Sequence, residues 1–275
     1  MDGSLIATLQ RVRLLIRSAT SNDVIQSWPL PQDFVAKCTT IKWYTKRSAE
    51  DGNQATPKRV LLADGHSVKV FDVEDHSWKA SIDGVASNLG QISDVSFGNN
   101  PDEILVSSEF GVKLTIWSLV TCRGVEIRDP KIGRCHFDIR PKTGHLAILT
   151  RPTTSDLLML LNPTSHEVIK SVAVGTIDAQ EVQWSRDGKW IAIRDTPTSG
   201  HNVQIYTADG HLFKTFSGPE DSSDINLGIK RMEWSPAGSL ILGDFNGNVT
   251  ILSKTTVSYR NTSLKCRLIL YSSRR

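Results

Sequence analysis

Apolar and polar residues alternate in short runs along this chain, and the runs recur on one template. RVRLLIRS, HSVKVFDV, GVKLTIWS, SDLLMLLN, HNVQIYTA and GNVTILSK each mix aliphatic or aromatic residues with polar ones at a period near two, the pattern of a short strand. Their equivalent positions are Ile16, Phe71, Trp117, Leu161, Tyr206 and Leu252, at intervals of 55, 46, 44, 45 and 46 residues. The long first interval holds KRSAEDGNQATPK (46–58), a polar stretch with Gly and Pro that reads as a loop insertion. Without it the period stays close to 45 throughout.

Three further elements repeat around this one. Upstream lie IKWYTK, VSFGNN, HFDIRPKTG, VQWSRDG and MEWSPAG, several of them running into turns built on Gly, Pro or Asp. EILVSS, HLAILT, KWIAIR and SLILGD are runs rich in Ile, Leu and Val, suited to strands buried on both faces. EVIKSVAV and HLFKTFSG are amphipathic. Each unit thus predicts four short strands joined by tight turns.

A period near 45 with four strands per unit predicts an all-β fold, a β-propeller of the WD-repeat kind. One four-stranded sheet cannot bury both faces alone, whereas stacked sheets cover each other. About six units are expected, the first and last incomplete. Residues 1–254 form the repeats, and 255–275 read as a divergent C-terminal tail that matches no seventh unit. Asp2-Gly3-Ser4-Leu5-Ile6-Ala7 aligns with the middle of a unit, at Asp187-Gly188-Lys189-Trp190-Ile191-Ala192, so the first unit lacks its opening strand. That pattern favours part of a longer propeller chain. A β-sandwich would not require the self-similarity, and no sustained 3.6-residue period supports a helical solenoid.

Composition changes this picture little. The 275 residues are 39% hydrophobic and 22% charged, and 32 basic against 29 acidic residues give a formal charge of +3. That is too mild to argue for nucleic acid or membrane. Cys38, Cys122, Cys135 and Cys266 are scattered, which points to no disulfide framework and no C-x-x-C zinc site, and fits a reduced intracellular compartment.

No catalytic motif stands out: there is no P-loop, nucleophile elbow, H-E-x-x-H or dinucleotide fingerprint. His66, His145, His201 and His211 each follow a glycine at a predicted turn and read as solvated. Cys135-His136 beside Asp138 suggests a dyad, but adjacent strand residues point to opposite faces. No cofactor or metal is expected. The repeated aromatics Phe71, Phe97, Trp117, Trp184 and Trp234 read as core between units.

Binding surface remains. The loops 126–134, 150–156, 195–202 and 217–228 are expected to cluster on one rim, where scaffold propellers carry function. Within them Arg128, Lys131 and Arg134 form a basic group fit for an acidic partner, and Asp221 and Asp224 an acidic one. Trp28 and Trp78 fall at strand ends near polar residues, where partial exposure would give them a contact role.

Two segments, ISDVSFGNNPDEILVSSEFGVKLTIWSL (92–119) and LGIKRMEWSPAGSLILGDFNGNVTILS (227–253), resemble the spindle-pole WD-repeat family, known as WD-repeat protein eight in several organisms. Leu227-Gly228-Ile229-Lys230 leading to Trp234-Ser235-Pro236 is the most specific piece, and Glu109-Phe110 ahead of Ile116-Trp117-Ser118-Leu119 the second. Weaker similarity covers most of residues 2–253. The resemblance implies a non-enzymatic scaffold of the cytoplasm and cytoskeleton, at the centrosome or fungal spindle pole body. Its implied partners are a coiled-coil anchoring protein, γ-tubulin complexes and, in fungi, a minus-end-directed motor of the kinesin-fourteen type. The insertion at 46–58 and the last twenty or so residues depart from the family pattern, as in a truncated fungal-type member. An alternative is a translation initiation factor with a WD-like propeller on the ribosome. A propeller enzyme would need polar inward positions, where VSF, VQW and MEW stand instead.

Overall fold

The computed structural model describes residues 3–45, 57–84, 88–131, 136–199, 202–216, 228–245, 247, 249–256 and 266–272. The chain divides into two compact units, Met1–Arg134 and Cys135–Arg275. Each carries three antiparallel sheets whose strands pair in sequence order.

In the first unit, sheet one holds β1 (Leu5–Gln10), β2 (Arg13–Ser18) and β3 (Val24–Pro29). A short helix, α1 (Gln32–Lys37), follows behind Pro31 and buries Phe34. Six residues are too few to produce the 3.6-residue pattern a sequence reading relies on. Sheet two holds β4 (Thr40–Trp43), β5 (Arg59–Ala63), β6 (Ser67–Asp72) and β7 (Lys79–Asp83). Sheet three holds β8 (Ile92–Phe97), β9 (Glu103–Ser108), β10 (Lys113–Ser118) and β11 (Arg123–Ile127).

The second unit repeats the plan. Sheet four is β12 (Phe137–Ile139), β13 (Leu146–Thr150), β14 (Leu157–Leu161) and β15 (Val168–Ala173). Sheet five is β16 (Glu181–Trp184), β17 (Trp190–Arg194), β18 (Val203–Thr207) and β19 (Leu212–Phe216). Sheet six is β20 (Ile229–Trp234), β21 (Leu240–Asp244), β22 (Val249–Thr256) and β23 (Cys266–Ser272). β23 pairs with β22 from Thr250↔Ser272 to Thr256↔Cys266.

The repeat template maps onto one row of this lattice. Ile16, Phe71, Trp117, Leu161, Tyr206 and Leu252 are all buried. They face Ala7, Val60, Ile104, Leu146, Ile191 and Leu240 across the neighbouring strand. Tyr206 keeps its hydroxyl satisfied by donating to the Gln204 side-chain oxygen at 2.6 Å, and burial pushes its phenol up to about 12.

Because strand side chains alternate between faces, the second strand of a sheet serves two cores at once. Val60 and Leu62 pack against Leu14, Ile16 and Trp28 of sheet one, while Leu61 and Ala63 pack against Val95, Ile104 and Trp117 of sheet three. Likewise Ile191 and Ile193 join Leu149 and Leu158 of sheet four, and Ala192 joins Met232 and Trp234 of sheet six. This explains why these runs read as continuously apolar: β9 and β13 are buried at every position. The fourth strands are mostly solvated, as their amphipathic sequences require.

Candidate interaction surface

In the second unit two buried carboxylates bind three connections together. Asp156, fully buried, accepts from Arg151 Nε at 2.8 Å, Thr176 Oγ1 at 2.9 Å and the Ala179 N–H at 2.6 Å. Asp195 accepts the N–H groups of Ile177, Asp178 and Thr196 at 2.9, 2.8 and 2.7 Å, and the Asn202 amide at 2.8 Å. Burial pushes the Asp195 carboxyl up, but these donors outweigh it and hold the group below its ordinary value. Arg151 also donates to the Ile177 carbonyl at 2.6 Å and pairs with Asp178 at 3.1 Å.

Residues 151–156, 174–180, 195–199 and 202 therefore present one fixed surface. A Cβ at Gly228 would stand 2.4 Å from the Pro197 carbonyl, so that residue must be glycine for the start of sheet six to approach. Ile177 crowns the cluster, 69% exposed between the charges of Arg151 and Asp178. A pre-ordered apolar residue ringed by charged ones suits protein contact, because little freedom is lost on binding.

The first unit offers a second prominent feature in the β9–β10 connection. Glu109 and Phe110 both have left-handed backbones, φ 51° and 61°, unusual for residues with side chains. Glu109 turns its carboxylate to the Gln91 N–H at 3.2 Å, which leaves the Phe110 ring 75% exposed. Phe245 holds the same repeat position between β21 and β22, 47% exposed, with the Lys230 ammonium 5.4 Å from its ring centre. Strained backbone displaying an apolar ring is a mark of functional loops.

The residues singled out from sequence fare unevenly. Of the expected rim loops, 150–156 and the described residues of 195–202 (195–199 and 202) meet as described. Arg128 is exposed. Lys131 is only 8% exposed and engaged with other groups, so it is withdrawn from the basic surface expected there. Trp28 is corrected too: it is 5% exposed, tilted against Phe71 at 5.2 Å and stacked on His76 at 5.0 Å, because its place on β3 faces the core of sheets one and two. Trp78 is half-buried beneath the Arg59 guanidinium. Arg134, Asp221, Asp224, His201 and Cys135 lie outside the described residues, as does 46–56 of the insertion. His136 is buried. No group of three or more metal-ligating side chains occurs among the described residues.

Sequence reasoning missed Ile177, Asp156 and Asp195 as site residues, since nothing in TRPTTSD or DTPTSGHN marks a carboxylate that will turn inward. Phe110 and Phe245 were findable, because both stand seven residues before the template position.

Among solved structures the chain is similar to the Dos1 propeller, at TM-score 0.59 and 12% identity over 90% of this chain and 64% of that one. It is also similar to Kluyveromyces marxianus Hsv2, at TM-score 0.59 and 14% identity over 95% and 73%. The chain has a WD-type β-propeller fold. No family model matches it. Among curated proteins it is 28% identical over 245 residues to the fission yeast WD repeat-containing protein C32H8.09, covering 87% of this chain and 48% of that protein. It is 26% identical over 260 residues to mouse WD repeat-containing protein WRAP73, covering 93% and 51%. The chain thus spans about half the length of the curated relatives it matches.

Proposed function

We propose that the chain is a non-enzymatic protein-interaction scaffold that acts at spindle poles. The observation that carries the scaffold reading is the Asp156–Asp195 clamp, which holds Ile177 and its flanking charges ready for a partner. Support for the spindle-pole reading comes from the resemblance of residues 92–119 and 227–253 to spindle-pole WD-repeat proteins. On that reading the partners are a coiled-coil anchoring protein, γ-tubulin complexes and a kinesin-fourteen-type motor, and the role is tethering microtubule minus ends.

The test is imaging of the endogenous protein, tagged at its genomic locus, through mitosis beside a tubulin marker. Foci at spindle poles, lost when Ile177 is replaced by Asp, are expected. Diffuse signal that sediments with ribosomes would overturn the reading in favour of a translation factor.

A further inference from the structure

Sheets two, four and five share a local relationship between the residue that opens or precedes the second strand and one near the start of the fourth. In sheet two Arg59 lies over the Trp78 ring at 3.5 Å. In sheet five Trp190 lies against Phe213, ring centres 4.7 Å apart. Both pairs close the space between the strands. In sheet four the positions of Trp190 and Phe213 hold His145 and Ile169, which border an open cavity of about 280 Å³.

A β-bulge shapes its wall. Leu160 pairs with Lys170 and Leu161 with Val168, so Ile169 is the extra residue of β15. Neighbouring strand residues normally point to opposite faces, and the bulge brings Ile169 and Lys170 to the same cleft. Arg140 and His145 from the β12–β13 turn, Trp184, Leu160, Ala208 and Asp209 complete it.

The charge in this cleft is unbalanced. Arg140 uses Nε on the Gly188 carbonyl at 2.8 Å and rests 5.2 Å from the Trp184 ring centre, with its terminal amino groups still to serve. Lys170 donates one of its three protons to the Asp209 carbonyl at 2.6 Å. His145 contacts Thr143 through Nδ1 at 2.9 Å, leaving Nε2. The single carboxylate, Asp209, is occupied by the Thr207 hydroxyl and by His211 at 3.3 Å. The Trp184 indole N–H is buried without a partner, although at the equivalent position Trp234 donates to the Gln183 carbonyl at 3.4 Å. Burial, and then the positive charge of Arg140, hold the His145 imidazole below its ordinary value.

We propose that this cleft binds an acidic side chain of a partner protein, its carboxylate meeting Arg140, His145 and Lys170 and an adjacent aliphatic residue packing on Leu160 and Ile169. A carboxylate matches the Arg and Lys donors, and charge-assisted bonds are the stronger kind. Half the lining is apolar, which an inorganic anion would not use and an acidic peptide would. At about 280 Å³ the cavity is large enough to take one acidic side chain and part of its neighbour. This deepens the scaffold reading by giving one partner's chemistry, and it needs no spindle-pole location.

The test is a titration of the intact, nitrogen-15-labelled chain with a short peptide of alternating Glu and Leu, following the seven tryptophan indole N–H resonances. The Trp184 resonance, assigned by its loss in Trp184→Phe, is expected to shift and saturate. The Gln-for-Glu peptide is expected to bind at least tenfold more weakly. His145→Gln combined with Lys170→Gln, both accessible side chains, is expected to abolish that preference with an unchanged Tm. An unmoved Trp184 resonance, equal binding of the Gln peptide, or unaltered binding by the double variant would overturn the proposal. So would a site that answers to inorganic phosphate alone, which would be a free-anion site. Failure here leaves the localisation result intact, and the reverse holds as well.

Discussion

The Arg59 guanidinium sits between the Trp78 ring, 3.5 Å away, and the Asp72 carboxylate, 3.1 Å from Nε. It also reaches the next sheet, donating to the Pro101 carbonyl at 2.9 Å and pairing with Asp102. One side chain thus fixes the opening of β5, the partly buried Trp78 and the β8–β9 turn. Arg59→Ala leaves Asp72 buried without its cation, and the expected loss is about 3–5 kcal/mol. Arg59→Lys should recover only part of it, because an ammonium cannot stack on the ring and bridge two sheets together. Equilibrium urea unfolding checks this, and a loss below about 1 kcal/mol would refute the assignment.

Trp28 and Trp234 are expected to behave alike. Each is buried between two sheets, and each truncation to Ala should cost about 3–5 kcal/mol through lost burial and the cavity left behind. Thermal unfolding of both variants is the measurement. Near-neutral behaviour of Trp28→Ala would return that residue to the surface role its sequence position suggested.

Stability should fall on acidification in part through Asp195. Its folded carboxyl lies below the ordinary value, so its contribution is complete above the unfolded pKa, about 3.9, and is lost as pH falls through the lower folded value. Asp195→Asn should cost about 1–3 kcal/mol at neutral pH, since an amide cannot accept from four donors. It should also flatten the acid limb of a Tm-against-pH curve. An unchanged acid limb would show that the clamp contributes nothing.

The Phe110 loop makes the opposite prediction. Its left-handed backbone costs a residue with a side chain about 1–2 kcal/mol, which glycine avoids at a smaller entropic cost. Phe110→Gly is therefore expected to keep or raise the melting temperature while weakening any partner held by the ring. A marked drop in melting temperature would place the ring in the core instead.

Much of the fold is legible in the sequence, because repetition multiplies a weak strand pattern six times. Phe71, Trp117 and Tyr206 differ in chemistry yet share one lattice position, and their spacing reveals it. α1 stayed hidden because one and a half turns carry no periodicity. Trp28 was misjudged because polar neighbours along the chain do not report which face of β3 meets Phe71. The site was less legible for a related reason. Arg140, His145 and Lys170 are separated in sequence, and only a bulge at Ile169 makes the last of them a neighbour of the first. Lys131 shows the converse, a cation in a polar run that the fold nevertheless buries.

The bulges themselves have a consequence for solubility. Ile25 on β3 and Phe213 on β19 are extra residues of their strands as Ile169 is of β15, Phe213 at the same repeat position and Ile25 one register step away, and all three are substantially exposed. A fourth strand of alternating apolar residues with one open edge is a template on which copies of the chain would stack into fibrils. An inserted residue breaks the spacing of its N–H and C=O groups and twists the edge, so that an incoming strand cannot stay in step. Deleting Ile25, Ile169 or Phe213 would regularise the ladder, and the chain would trade a kinked rim for a tendency to polymerise.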